Sequence, residues 1–345
     1  MTFRSIALLF MYCLTLPASA EDAPKPQETA RSHETATLIG AGDIADCTGG
    51  GADESPSAFT ARLVDALLAE ADRKGESAHI FTVGDNTYPD GTPREFDECY
   101  RHTWGRFRDR TLPALGNHDR GNGSADGSSE AFGFYGYFDA RLKIIDKEQN
   151  ASSGSISKGY YKFELNKSWL VLVLDSTYAD TSKPKFPDPP AMFREEEAWL
   201  KEVLDKKPTD QCVIAVWHHP VCGGTDICDD FMNSIWRLLQ GKAGLVVTGH
   251  EHAYRRYLKM DGDRKPSPAG LLQITVGTGG SQNIFQFSER HAFTDRTAPE
   301  PCASSYGVLL LRLRGRVGEF EFVPWSAKDR PLVFDHGAFS CPTDK

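Results

Sequence analysis

The chain has 345 residues, 40% hydrophobic and 25% charged, with a formal net charge of −9 at pH 7. This is an ordinary globular composition, enough for one large domain or two small ones, and it excludes extended disorder. The acidic balance excludes bulk electrostatic binding of polyanions such as nucleic acids, but not of a small phosphorylated substrate held locally.

The N-terminus reads as an export signal over residues 1–20. Arg4 supplies the positive start, Ser5–Leu16 is mostly apolar, and Ala18-Ser19-Ala20 is a small-x-small cleavage site. The apolar run is too short to cross a bilayer comfortably, and no other stretch qualifies. A secreted or periplasmic protein with no membrane attachment after cleavage is therefore expected, one unit more negative for the loss of Arg4. Residues 21–35 lack periodicity and read as a flexible lead-in.

Strands and helices then alternate. Thr37–Gly42 reads as a strand, Ser57–Lys74 as an amphipathic helix with Phe59, Leu63, Leu67 and Leu68 on one stripe, and His79–Val83 as a second buried strand. Arg94–Trp104 looks helical. Tyr160–Leu165 and Trp169–Leu174 read as paired strands turning at Asn166-Lys167. Pro190–Lys206 reads as a helix with Glu195, Glu196 and Glu197 on its exposed face. Cys212–Val216 and Leu245–Val247 are short apolar strands flanking a helix over Asp229–Gln240. Leu271–Val276, Val308–Leu313 and Val317–Val323 are late strands without intervening helices. The pattern predicts an α/β fold: a sandwich of two mixed sheets flanked by helices, spanning 36–325, with 326–345 as a C-terminal tail.

Of eight cysteines, Cys13 lies in the signal, leaving Cys47, Cys99, Cys212, Cys222, Cys228, Cys302 and Cys341. Export favours disulfides, and an odd number leaves one thiol over. Cys212, inside a buried strand, is the expected free thiol. Cys222 and Cys228 flank a Gly-Gly turn and should pair. Cys302–Cys341 would tie the tail back, and Cys47–Cys99 would join two loops. No CxxC spacing suggests a zinc site.

Five short segments carry the chemistry: Gly42–Asp46 (GDIAD), Gly84–Tyr88 (GDNTY), Gly116–Asp119 (GNHD), His218–Pro220 (HHP) and Gly249–His252 (GHEH). Each follows a strand or extended segment, and loops at the carboxyl ends of strands line the crevice of an open α/β sheet. Together they offer carboxylate, phenol, amide and imidazole donors, a mix suited to a pair of first-row metal ions that clamp an in-line displacement at phosphorus. Taken singly, each residue has a plainer reading. Asp43 and Asp85 are turn residues by default, Tyr88 a core aromatic, and a lone His118 or His250 a packed or surface histidine. It is the whole set in order that argues otherwise.

In that order the set resembles the calcineurin-like metallophosphoesterases, and within them the purple acid phosphatase branch, marked by a tyrosine three residues after the second-motif aspartate, here Tyr88 after Asp85. The resemblance covers about residues 36–325 and implies a single-domain, four-layer metallophosphoesterase sandwich. It implies one metal ion on Asp43, Asp85, Tyr88 and His252, and a second on Asp85, Asn117, His218 and His250, with Asp85 bridging. A phenolate ligand favours Fe(III) at the Tyr88 site; the less negative second site suits Fe(II), Zn or Mn. A hydroxide between the ions would attack phosphorus, with His118 on the phosphate or protonating the leaving oxygen. His219 stands either behind the ligands or against the substrate, and either His218 or His219 is a possible ligand, the His-x-Pro spacing favouring His218. Arg120, Arg255 and Arg256 are candidates for phosphate oxygens. Ala45 replaces the usual glycine of the first motif, and Ala215 the usual valine of the fourth. Expected, then, is an exported acid phosphatase-like hydrolase of phosphate monoesters. A phosphodiesterase or nucleotidase with the same centre, and a non-catalytic binding protein of the same fold, are the alternatives. Oligomeric state is left open.

Overall fold

The computed structural model describes residues 35–47, 54–121, 131–148, 158–179, 189–223, 228, 230, 232–281, 302–303, 305–325 and 335–342. The proposed signal and nearly all of the lead-in lie outside them.

The first βαβ unit forms as read. β1 (Thr35–Ala41) leads through the first-motif loop, with its short strand β2 (Ala45–Asp46), into helix α1 (Pro56–Arg73), capped by Ser55 with Pro56 at its first position. β3 (Ser77–Thr82) returns parallel to β1, and after β4 (Thr87–Tyr88) the two-residue β5 (Thr111–Leu112) adds parallel to β3. Helix α2 (Phe132–Glu148), which no sequence signal above marked, follows. The second half repeats the device: β6 (Tyr161–Asn166) and β7 (Trp169–Val173) form the expected hairpin, and α3 (Pro189–Lys206), β8 (Cys212–Val216), α4 (Asn233–Leu239) and β9 (Ala243–Thr248) follow, with β7, β8 and β9 parallel. β10 (Tyr254–Arg256), β11 (Leu272–Val276), β12 (Cys302–Ala303), β13 (Gly307–Arg314), β14 (Val317–Pro324) and β15 (Asp335–Ser340) complete the order.

Two mixed sheets result, six-stranded β15-β14-β13-β1-β3-β5 and seven-stranded β12-β10-β11-β9-β8-β7-β6. Side-chain alternation explains the layers. In β8, Cys212, Ile214 and Val216 enter the larger core shared with β1, β3 and β13, whereas Val213 and Ala215 join a second cluster with Leu200 and Leu204 of α3 and Trp236 of α4. Each inner strand is thus apolar on both faces, sheet on one side and helix on the other. The expected two-sheet α/β sandwich stands.

Several local expectations need correction. Residues 94–104 do not form one helix: a turn at Pro93–Glu95, capped by Thr92 and Glu95 in a reciprocal box, widens into a π-helical turn at Phe96–Tyr100, and a separate 3₁₀ segment follows at Trp104–Arg110. Glu196 is not on a solvated face. It is fully buried while Glu195 is exposed, because it shares the inward stripe with Leu200. The segment after 325 is more than a tail, since β15 pairs with β14 as the edge strand of the first sheet. That docking decides the third disulfide. Phe339 packs edge-on to Trp169, and Cys341 lands beside the start of β8, so Cys212 pairs with Cys341 rather than staying free, and Cys302 is not Cys341's partner. Cys47–Cys99 and Cys222–Cys228 form as expected.

Candidate metal centre

Seven loops at the carboxyl ends of parallel strands meet at one edge of the sandwich. Asp43 follows β1, Asp85 β3 and Asn117 β5; Ser176 follows β7, His218 β8, His250 β9 and Ser281 β11. The first two loops are zipped together. Asp43, Ile44 and Ala45 N–H groups donate to the carbonyls of Gly84, Asp85 and Asn86 at 3.0, 2.9 and 3.1 Å. Ala45 pairs with Thr87 in a small parallel bridge, so alanine serves there in ordinary extended backbone.

Three of the seven candidate donors adopt left-handed backbone: Asp43 at φ 57°, Asp85 at 50° and His250 at 68°. Each such residue costs about 1–3 kcal/mol, a cost typical of functional sites. The flanking glycines are required by proximity. Gly84, at φ 90°, has room for no Cβ, which would lie 2.6 Å from His218 Nδ1, and a Cβ on Gly116 would overlap Asp85 Oδ1.

The donors form two touching groups. In one, the Tyr88 hydroxyl lies 2.7 Å from Asp43 Oδ1, 2.9 Å from Asp85 Oδ2 and 3.1 Å from His252 Nε2, and His252 Nε2 lies 3.2 Å from Asp43 Oδ1. In the other, His218 Nε2 lies 2.9 Å from Asn117 Oδ1 and 3.3 Å from Asp85 Oδ2, with His250 Nδ1 3.2 Å from Asn117 Oδ1. Asp85 Oδ2 touches both. Asp43 and Asp85 are 0% and 1% exposed. Two carboxylates buried so close are costly without a compensating cation. The donor set fits one.

The surroundings aim these groups. A carbonyl only accepts, so His218 Nδ1–H donates to Val83 O at 2.8 Å, leaving Nε2 inward; His252 is tied through Nδ1 to Ser281 Oγ at 3.2 Å. The Asp85 carboxylate accepts from His118 N–H at 2.8 Å, and that of Asp43 from His250 N–H at 2.9 Å. Burial opposes a charge on His218, but the adjacent Asp85 overrides it and pushes the imidazole up to about 9. Burial likewise opposes the Asp85 charge, yet His218 and His118 hold its pKa well below the usual carboxylate range. Burial, then Asp43 and Asp85, hold the Tyr88 phenol well above its ordinary value.

His118 is half-buried beside the cluster. Its Nδ1–H donates to Pro89 O at 2.6 Å, and its ring centroid lies 4.4 Å from that of Tyr88. His219 is buried, with its ring 4.5 Å from His250. The arginines are engaged elsewhere: Arg120 pairs with buried Asp175, Arg256 with Asp335, and Arg255 is fully buried in β10.

Sequence reasoning passed over three supports. Asp119, though inside the third motif, was given no role. Its carboxylate accepts from Asn86 N, Asn86 Nδ2 and Gly116 N at 2.9–3.2 Å, clamping the second-motif loop to the third; burial, then Asp85, push it up to about 7. Asp175 and Ser176 belong to no motif, and their signal was only positional, a polar pair directly after strand β7.

A two-sheet sandwich with carboxylates and imidazoles gathered at the strand ends defines a metallophosphoesterase. A family model for calcineurin-like phosphoesterases matches residues 28–254, and the chain belongs to that family. Phosphoenolpyruvate phosphatase of onion (Allium cepa) is 24% identical over 283 residues, 74% of this chain and 53% of that protein, so the chain spans about half the length of this relative. Among solved structures, purple acid phosphatase PPD1 of yellow lupin (Lupinus luteus) aligns with a TM-score of 0.58 at 16% identity, over 89% of this chain and 54% of that one. GAP50, the anchor in the inner membrane complex of Plasmodium, aligns with a TM-score of 0.56 at 12% identity, over 89% of each. Both likenesses concern the fold.

Proposed function

We propose that the chain is an exported dinuclear-metal hydrolase of phosphate monoesters, of acid phosphatase type. The observation that carries this is the convergence of all seven candidate donors into two groups sharing Asp85. Asp43, Tyr88, His252 and Asp85 would hold Fe(III); Asp85, Asn117, His218 and His250 would hold Fe(II), Zn or Mn. When bound, such ions polarise phosphoryl oxygens and activate water near neutral pH. The residues do the rest. Asp85 spans both positions, and Val83 and Ser281 keep two imidazoles turned inward. With Nδ1 committed to Pro89, His118 presents Nε2 to the leaving oxygen as a proton donor.

The name of the onion relative, a phosphatase of phosphoenolpyruvate, favours monoesters. Three disulfides support an oxidising compartment, hence secreted or periplasmic. No described helix is long and apolar enough to cross a membrane. The test pairs nitrophenyl phosphate with bis-nitrophenyl phosphate. A higher kcat/KM on the monoester is expected. Preference for the diester would move the chain to the phosphodiesterases, and no turnover of either by metal-loaded protein would leave a binding protein of the same fold.

A further inference from the structure

His219 lies next to a candidate ligand, yet the ligand set described above does not use it. Its ring centroid is 4.9 Å from that of His218 and 4.5 Å from that of His250, and the three residues bring one donor atom each within 4.8 Å of one another. Behind it stands Ser176, fully buried, whose Oγ lies 2.9 Å from His219 Nδ1 and accepts the His219 N–H at 2.9 Å. The hydroxyl therefore grips the residue at both backbone and ring.

The same arrangement recurs around the cluster. His218 is tied from behind through Nδ1 to Val83 O, and His252 through Nδ1 to Ser281 Oγ, each turning Nε2 inward. Metal-binding histidines characteristically donate their second ring N–H in this way, which fixes tautomer and orientation. If His219 Nδ1–H donates to Ser176, the nitrogen left to serve a cation is Nε2.

Ser176 is itself held rigidly. The preceding Asp175 accepts from Thr177 N–H and Thr177 Oγ1–H at 2.8 and 2.6 Å and pairs with Arg120, while Asp175 N–H donates to Glu196 Oε1 at 2.8 Å. Arg120 Nε–H also reaches Thr177 Oγ1 at 2.9 Å, and Arg120 directly follows the Asn117-His118-Asp119 loop. One buried polar network thus braces the Ser176 turn against the loop that carries Asn117.

We propose that Ser176 is a positioning residue that holds His219 as a third imidazole of the second metal position, beside His218 and His250. This rests on the dinuclear reading and refines it. A position with three neutral imidazoles and an amide oxygen binds Zn²⁺ in preference to harder ions.

The test measures metal affinity rather than turnover. Zn²⁺ is titrated against a chromophoric chelator with the wild-type chain and with His219→Ala, Ser176→Ala and Ser176→Thr. The wild type should bind two ions. His219→Ala and Ser176→Ala should weaken the second ion about 10–100-fold while leaving the first unchanged, which also reports an intact fold. Ser176→Thr keeps the hydroxyl and should recover most of the affinity. Ser176→Ala placed on His219→Ala should add little, since only the backbone contact at residue 219 remains there to be lost; a merely structural serine would add its full effect in both backgrounds. An unchanged second affinity in His219→Ala overturns this inference and leaves the dinuclear centre standing. A wild-type chain that holds fewer than two ions when both Fe(III) and Zn²⁺ are supplied overturns both.

Discussion

Stripping the metal ions should make the protein's stability fall with pH in a defined window. Two carboxylates, Asp43 and Asp85, are buried at the centre, and in the metal-free chain the proton on His218 partly compensates them. Its imidazole titrates near 9 in the folded protein and near 6.5 when unfolded. Between those values the native state binds one proton more than the unfolded state. Stability then declines by up to about 1.4 kcal/mol per pH unit, about 3 kcal/mol across the window; it is fully present below pH 6.5 and lost above 9. Asp119 acts in the same sense but earlier. Pushed up to about 7, it lowers stability as pH rises from the ordinary carboxylate range to 7 and contributes no slope beyond. The assay is urea unfolding followed by tryptophan fluorescence from pH 6.5 to 9.5, with a strong chelator and again with saturating Zn²⁺. With metal, the slope between 7 and 9 should flatten, because a cation replaces the proton. Asp85→Asn without metal should also be nearly flat there. Metal-free stability that is level or rises between pH 7 and 9 would refute the reasoning.

His118→Ala should leave both metal affinities intact and lower kcat on a nitrophenyl monoester by about 10²–10⁴-fold; unchanged turnover removes His118 from the chemistry. Asp175→Ala leaves the Arg120 guanidinium buried without its carboxylate and should cost about 3–5 kcal/mol in denaturant unfolding, whereas a loss under 1 kcal/mol would mean that the network braces nothing. The Cys212–Cys341 bridge closes 129 residues of chain, so Cys341→Ser should destabilise by about 2–5 kcal/mol, and mass spectrometry of the non-reduced wild type should recover the Cys212–Cys341 peptide.

Much of the centre was legible because its residues announce themselves locally. A glycine followed by a carboxylate, amide or imidazole donor, after an apolar or extended segment, recurs at Asp43, Asp85, Asn117 and His250, and parallel strands force such loops to one edge. The supports were harder to read because burial, not residue type, makes them what they are. Ser176 is an ordinary serine until β7 and β8 pair and bring it to His219. Glu196 looked solvated between two other glutamates, although its spacing from Leu200 already placed it on the inward stripe. Cys212 looked free because its partner lies 129 residues on, just past a strand whose docking no local pattern encodes. Arg120 is a similar case: proximity in sequence to a candidate ligand suggested phosphate, whereas the structure pairs it with Asp175, 55 residues away.

The most direct test is elemental analysis of the purified chain with an absorption spectrum. Two metal ions per chain are expected, one of them iron, with a visible band that shifts or vanishes in Tyr88→Phe. A well-folded chain retaining fewer than two ions after incubation with iron and zinc, and hydrolysing no phosphate ester, would contradict the account.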